Sequence, residues 1–181
     1  MSRPVIIVGN GVHIARAEER VRDFCRAAEC PILSTWTGAD IVCDLPLHIG
    51  HFGIFGDRAS NFVVQNADRL LVLGASLCIP QTGYNLQHFA RGAKIEHIDL
   101  QKIPEPAING LRYLNWNARC LDWKTRYGIE TEKREAKEGY VNSFDFIRDL
   151  SDRLPADAIV VTDMGTAFTC TFQAARMKYG Q

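Results

Sequence analysis

The segment PVIIVG, from Pro4 to Gly9, is apolar at every position and closes on glycine. A strand with water on one face alternates polar and apolar residues, so an unbroken run predicts a strand covered on both faces, as in a parallel sheet. Three further strand candidates follow: CPILST (Cys30 to Thr35), RLLVLGA (Arg69 to Ala75) and AKIEHIDL (Ala93 to Leu100). Between the first two, Val21, Phe24, Cys25 and Ala28 fall at i, i+3, i+4 and i+7, which predicts a helix over Ala17–Glu29. GHFGIFGDRASN (Gly50 to Asn61) reads as a long glycine-rich loop entering a short helix near Ser60–Asn66, and helical residues that include Phe89 and Ala90 precede the fourth strand. Strand and helix in repeated succession mean parallel strands joined by right-handed crossovers. The fold class predicted is therefore α/β: an open, mostly parallel, Rossmann-like sheet with helices on both faces.

In such sheets ligands gather at the carboxyl ends of the strands. Four predicted ends carry small or polar residues: Gly9-Asn10-Gly11, Thr35-Trp36, Gly74-Ala75-Ser76 and Asp99. Glycine there either admits a ligand to the backbone or only makes a tight turn, and four ends of this type favour a cleft. The cleft is not of the dehydrogenase kind. The G-x-G-x-x-G fingerprint needs a third glycine where Ile14 stands, and the second strand closes on STW with no acidic residue.

Charge excludes other partners. Lysine plus arginine equals aspartate plus glutamate, 21 each, so no net field attracts nucleic acid or an anionic membrane. No apolar run approaches the ~20 residues of a membrane span, and MSRPVIIVGNGV lacks the cleavage site of a signal peptide. The six cysteines form no C-x-x-C pair and read as buried, reduced thiols of a cytoplasmic protein. His48 and His51 form an H-x-x-H without a second ligand pair at metal spacing, so they read as loop polarity.

Beyond Leu100 the character changes. IPEPAING is loop, and Arg112 to Gly139 reads as a linker helix and exposed connection. Asn142 or Ser143 then caps a helix with Phe146, Ile147, Leu150 and Leu154 on its apolar side, stopped by Pro155. Ala158–Thr162 reads as a strand, Asp163-Met164-Gly165 as a turn, and the following residues as a helix. The organisation predicted is a central α/β domain at 1–118, a linker at 119–140, and an incomplete second α/β unit at 141–181.

Taken in order, RPVIIVGNGV, PILSTWTGAD, FGDRASNFVVQNADRLLVLGASL, QTGYN and AKIEHIDL resemble the central domain of thiamine-diphosphate enzymes of the acetolactate synthase type. The stretch from RCLDWKTRYG to VVTDMGTAFTCTFQA is similar to the linker and opening of that family's diphosphate-binding domain. The resemblance implies a sirtuin-like central domain and a parent transferase acting on small 2-oxo acids with thiamine diphosphate and Mg2+, assembled as a dimer or tetramer. It places the diphosphate at Gly165, Thr166 and Ala167, where amides at a helix start suit phosphate oxygens. It also implies that Asn10, Gly11, Thr35, Trp36, Gly74 to Cys78 and Asp99 match the residues with which several members hold FAD.

Two departures bear on this. Relatives read roughly R-L-D-I-R-Q-T-G where this chain reads SLCIPQTG, so Ser76, Cys78 and Pro80 replace two arginines and an aspartate. That removes charge-assisted contacts worth on the order of 1.5–3 kcal/mol each and argues against FAD. The family's G-D-G metal motif and the glutamate that activates the thiazolium ring are not among these residues, so a fragment inactive by itself is expected. The other reading is a non-catalytic α/β module that holds a nucleotide or flavin.

Overall fold

The computed structural model describes residues 2–104, 113–132 and 134–181. The strands are β1 (Pro4–Val8), β2 (Ile32–Ser34), β3 (His48–His51), β4 (Arg69–Leu73) and β5 (Lys94–Ile98). They form one sheet in the order β3-β2-β1-β4-β5, every pair parallel. The apolar run of β1 is central and buried at all five positions, which accounts for its lack of alternation. Order reverses between β1 and β4, and there a crevice opens at the carboxyl edge of a doubly wound sheet.

Helices cover both faces. On one lie α1 (Gly11–Ile14), α2 (Glu18–Ala28) and α3 (Ala39–Val42), and Val21, Phe24 and Ile41 pack against Ile6, Val8 and Ile32. Arg22 ties α2 to α3, donating to the Ile41 carbonyl at 2.6 Å and to both carboxylate oxygens of Asp44 at 2.7 Å. The other face carries α4 (Arg58–Asn66) and α6 (Leu114–Tyr127), with Val63, Trp116 and Cys120 set against Val5, Ile7, Leu70 and Val72. The first half of α6, read from sequence as linker, thus fills the core. Trp116 also donates its indole N–H to the Pro4 carbonyl at 3.0 Å.

Several elements differ from the sequence reading. The expected crossover helix around Phe89 and Ala90 is absent. Only α5 (Ile79–Thr82) and a short 3₁₀ turn at Leu86–His88 form, because Gly83 sits at φ +77° and Asn85 caps the turn through Gln87. Phe89 and Ala90 are nonetheless buried, as loop residues closing the core.

His48 and His51 are not loop polarity. They begin and end β3, an edge strand that pairs with β2, and Ser34 Oγ lies 3.0 Å from both His48 Nε2 and His51 Nδ1. The open edge of β3 is satisfied by side chains: Lys124 donates to the His48 carbonyl at 2.6 Å, and Asp57 accepts the His51 amide at 3.0 Å. The sequence HIGH gave little strand signal because its pairing is completed by residues from α6 and the loop before α4.

Beyond α6 lie α7 (Ser143–Arg153) and α8 (Thr166–Ala174). Asn142 caps α7, accepting from the amides of Phe144 and Asp145 at 3.0 and 3.3 Å. The strand read at Ala158–Thr162 does not form: the segment pairs with no strand among the described residues, and Ile159 and Val161 are 90% and 89% exposed. A strand's amides and carbonyls need a neighbour, and none is supplied here. The apolar side of α7 is also open, with Phe146 and Leu150 exposed. From Glu105 the IPEPAING loop lies outside the described residues, as does Arg112.

The thiols are free, and most are buried, but Cys78 is exposed at the start of α5. No helix among the described residues is long and apolar enough to cross a membrane, and no group of three metal-binding side chains is found among them.

Candidate functional site

Two features at the carboxyl edge of the sheet carry the site. The first is a cleft of about 350 Å³ at the reversal point, lined by Asn10, Gly11, Thr35, Gly74, Ser76 and Cys78 among others. Its floor is backbone packed on backbone. The Gly9 amide donates to the Leu73 carbonyl at 2.9 Å, and the Gly11 amide to that of Gly74 at 2.8 Å. A Cβ on Gly74 would lie 2.6 Å from the Val12 nitrogen, and one on Gly11 2.8 Å from the Gly74 Cα. These glycines therefore serve the close approach of the β1 turn to the end of β4, whatever else they do.

Thr35 lines this region from the residue after β2. It is 6% exposed, and its Oγ1 finds no hydrogen-bond partner among the described residues. Leaving such an atom unpaired costs about 1–3 kcal/mol. The lining otherwise offers the Asn10 amide, small hydroxyls, a thiol and Gln81, with no lysine or arginine. That donor set suits a neutral polar group and, among the described residues, holds no cationic partner for a phosphate.

Four of the cleft residues read from sequence, Asn10, Gly11, Thr35 and Gly74, thus come together. Two do not. Asp99 follows β5 on the surface, where its carboxylate accepts the Gln101 amide at 2.9 Å and closes a turn. Trp36 points away from the cleft into an aromatic cluster.

The second feature is the turn before α8. Gly165 adopts φ +84° and ψ −143°, a conformation that glycine alone reaches easily, and a Cβ there would meet nothing within 4 Å. The first bond into the helix runs from the Thr169 amide to the Gly165 carbonyl at 3.1 Å. The amides of Thr166, Ala167 and Phe168 precede it and have no helical acceptor. Gly165, Thr166 and Ala167 are all exposed, so an anion reaches these amides unobstructed. An open glycine turn with three free amides fits a diphosphate end. Asp163 sits beside it and accepts the Met164 amide at 2.7 Å.

Sequence reasoning missed what joins the two features. Trp36 stacks edge-on to Phe168 at 4.9 Å between ring centroids, and lies 6.0 Å from Phe172 and 5.8 Å from Phe55. Gln173 donates to the Phe55 carbonyl at 2.7 Å. The loop carrying Phe55 is itself braced, since Asn61 both accepts from the Gly53 amide and donates to its carbonyl at 2.9 Å. The available signal was the pairing of Phe168 with Phe172 four residues on, one helical face of α8.

A doubly wound parallel sheet with a reversal-point cleft, followed by an exposed glycine turn at a helix start, defines the class as an open α/β protein. Residues 1–104 match the family model for the central domain of thiamine pyrophosphate enzymes, and the chain belongs to that family. Curated relatives narrow the resemblance to acetolactate synthase large subunits. The isozyme 2 large subunit of Escherichia coli K12 is 28% identical over 183 aligned residues, which cover 90% of this chain and 33% of the relative. A probable acetolactate synthase large subunit of Methanocaldococcus jannaschii is 35% identical over 99 residues, covering 54% of this chain and 17% of the relative. The large subunit of Porphyra purpurea is 25% identical over 193 residues, covering 91% and 32%. The chain thus spans about a third of the length of the relatives it matches end to end.

Proposed function

We propose that these residues supply the central domain and the diphosphate turn of a thiamine-diphosphate-dependent transferase of the acetolactate synthase type, acting on 2-oxo acids. The observation that carries this is the exposed Gly165 turn, with the unbonded amides of Thr166, Ala167 and Phe168, in a chain of this family. Residues 1–118 form the central domain in this reading, 119–140 a connection and 141–181 the first part of the diphosphate-binding domain. Thiamine diphosphate, when bound, supplies the carbanion chemistry by which a 2-oxo acid is decarboxylated and joined to an acceptor.

The contribution of this chain is binding and orientation. The amides of Thr166, Ala167 and Phe168 would hold the diphosphate end through charge-assisted hydrogen bonds, and the positive end of α8 would favour the added negative charge. Mg2+ accompanies the diphosphate, and the parent is a cytoplasmic oligomer. The uncharged lining of the cleft among the described residues argues against FAD there.

Calorimetric titration of the 181-residue chain with thiamine diphosphate and Mg2+ tests the reading. Saturable binding that Gly165→Val abolishes supports it, because valine is strained at that φ. Absence of binding, or binding indifferent to that substitution, sinks it. The chain alone is expected to form no product from pyruvate.

A further inference from the structure

We propose that Trp36 is a positioning residue for the diphosphate turn, acting through the first turn of α8; this rests on the reading of that turn given above. Thr35 alone separates Trp36 from β2, and the sheet fixes the backbone just ahead of it: the Thr35 amide donates to the Val8 carbonyl at 2.9 Å. Its indole stands at 89° to the Phe168 ring, an edge-to-face contact. Phe168 lies three residues beyond Gly165, in the same turn as the free amides. Phe172 packs on Phe168 at 4.8 Å and continues the contact along the helix, while Gln173 ties the far end of α8 to the Phe55 carbonyl. The helix is therefore held to the carboxyl edge of the sheet along one side. Nothing comparable holds Gly165, which has open space around it.

The indole N–H is the telling detail. Trp36 Nε1 is buried and has no partner among the described residues. A residue retained for hydrogen bonding would use that group, so Trp36 acts here by its ring area and shape. Phenylalanine at this position gives up ring area and no bond.

The experiment uses the full 181-residue chain with inorganic pyrophosphate as the probe. Affinity is measured by calorimetry, and order in α8 by amide hydrogen exchange at Cys170, Thr171 and Phe172. Trp36→Ala and Phe168→Ala are each expected to weaken pyrophosphate binding by about tenfold, the scale of a lost aromatic contact in an ordered turn. Both are expected to speed exchange in α8 while the amides of β1 stay protected, which shows the sheet still folded. The double variant is expected to bind no worse than either single one, and Trp36→Phe to bind within about threefold of the parent sequence.

Unchanged affinity in Trp36→Ala, where the parent chain binds pyrophosphate, overturns the proposal. So does full additivity of the two alanine substitutions. If the parent chain does not bind pyrophosphate, the functional reading falls, and exchange alone decides the role of Trp36. Equal protection of α8 in Trp36→Ala then overturns the positioning, and faster exchange upholds it.

Discussion

Gly74→Ala separates the two explanations of the glycines that floor the cleft. If Gly74 served only to admit a ligand, alanine would leave the unliganded protein as stable as before. The structure gives a different answer. Gly74 has φ +67°, where an L-residue is strained by about 1 kcal/mol. The new methyl would also stand 2.6 Å from the Val12 nitrogen and 2.9 Å from the Gly11 carbonyl carbon. Both are backbone atoms of the β1 turn and cannot swing aside, so the turn must shift, at about 1–3 kcal/mol for overpacking. A destabilisation of about 2–4 kcal/mol corresponds to a drop of about 5–15 °C in Tm for a chain of this size. The assay is thermal unfolding followed by circular dichroism at neutral pH without ligand. Gly83→Ala is the internal control: φ is +77°, but nothing lies within 4 Å, so strain alone remains and the drop is a few degrees. Equal melting temperatures for the two variants, or no loss in Gly74→Ala, refute the packing argument.

The buried histidine pair of β3 predicts an acid sensitivity. Burial, with the charges of His51 and Lys124 adding to it, drives His48 down to about 3, and burial lowers His51 as well. The folded state holds both neutral while the unfolded chain protonates them near pH 6.5. Their stabilising contribution is whole above that pH and drains away below it, by about 1.4 kcal/mol per pH unit for His48, which stays neutral throughout. His13 works in the opposite sense. Burial lowers its pKa, but hydrogen bonds to Asp40 at 3.1 Å and Glu18 at 2.9 Å outweigh that and raise it, so its contribution is complete below pH 6.5 and fades above. Burial also raises the Asp57 carboxyl beside His51, which works against the histidines as the pH falls. Between pH 6 and 5 the loss from His48 is expected to dominate, and urea midpoints to fall across that interval; a flat profile would contradict the burial argument. Asp57→Ala leaves the His51 amide and the Ser60 hydroxyl without their acceptor, for a loss of about 1–3 kcal/mol in urea unfolding. A change within experimental error would mean that the β3 edge does not depend on that carboxylate.

Much of the central domain was legible because its signals are local. An all-apolar β1, a helix face at Val21, Phe24, Cys25 and Ala28, and glycine at strand ends each follow from backbone geometry and burial over a few residues. Those signals determined the parallel sheet, its two covered faces and the carboxyl edge as the place for a site. The Gly165 turn was legible for the same reason: a glycine ahead of a helix start is a short-range pattern.

What only the tertiary structure decided involves partners distant in sequence. β3 exists because Ser34, Asp57 and Lys124 converge on HIGH, and no local pattern announces a donor as distant in sequence as Lys124. Ala158–Thr162 has the composition of a strand yet stays unpaired, since pairing requires a neighbour that composition cannot provide. Trp36 looked like a ligand residue from its position after β2, and its ring instead meets Phe168. Side-chain direction at the end of a strand is set by what packs against it, and that is fixed only when the whole chain has folded.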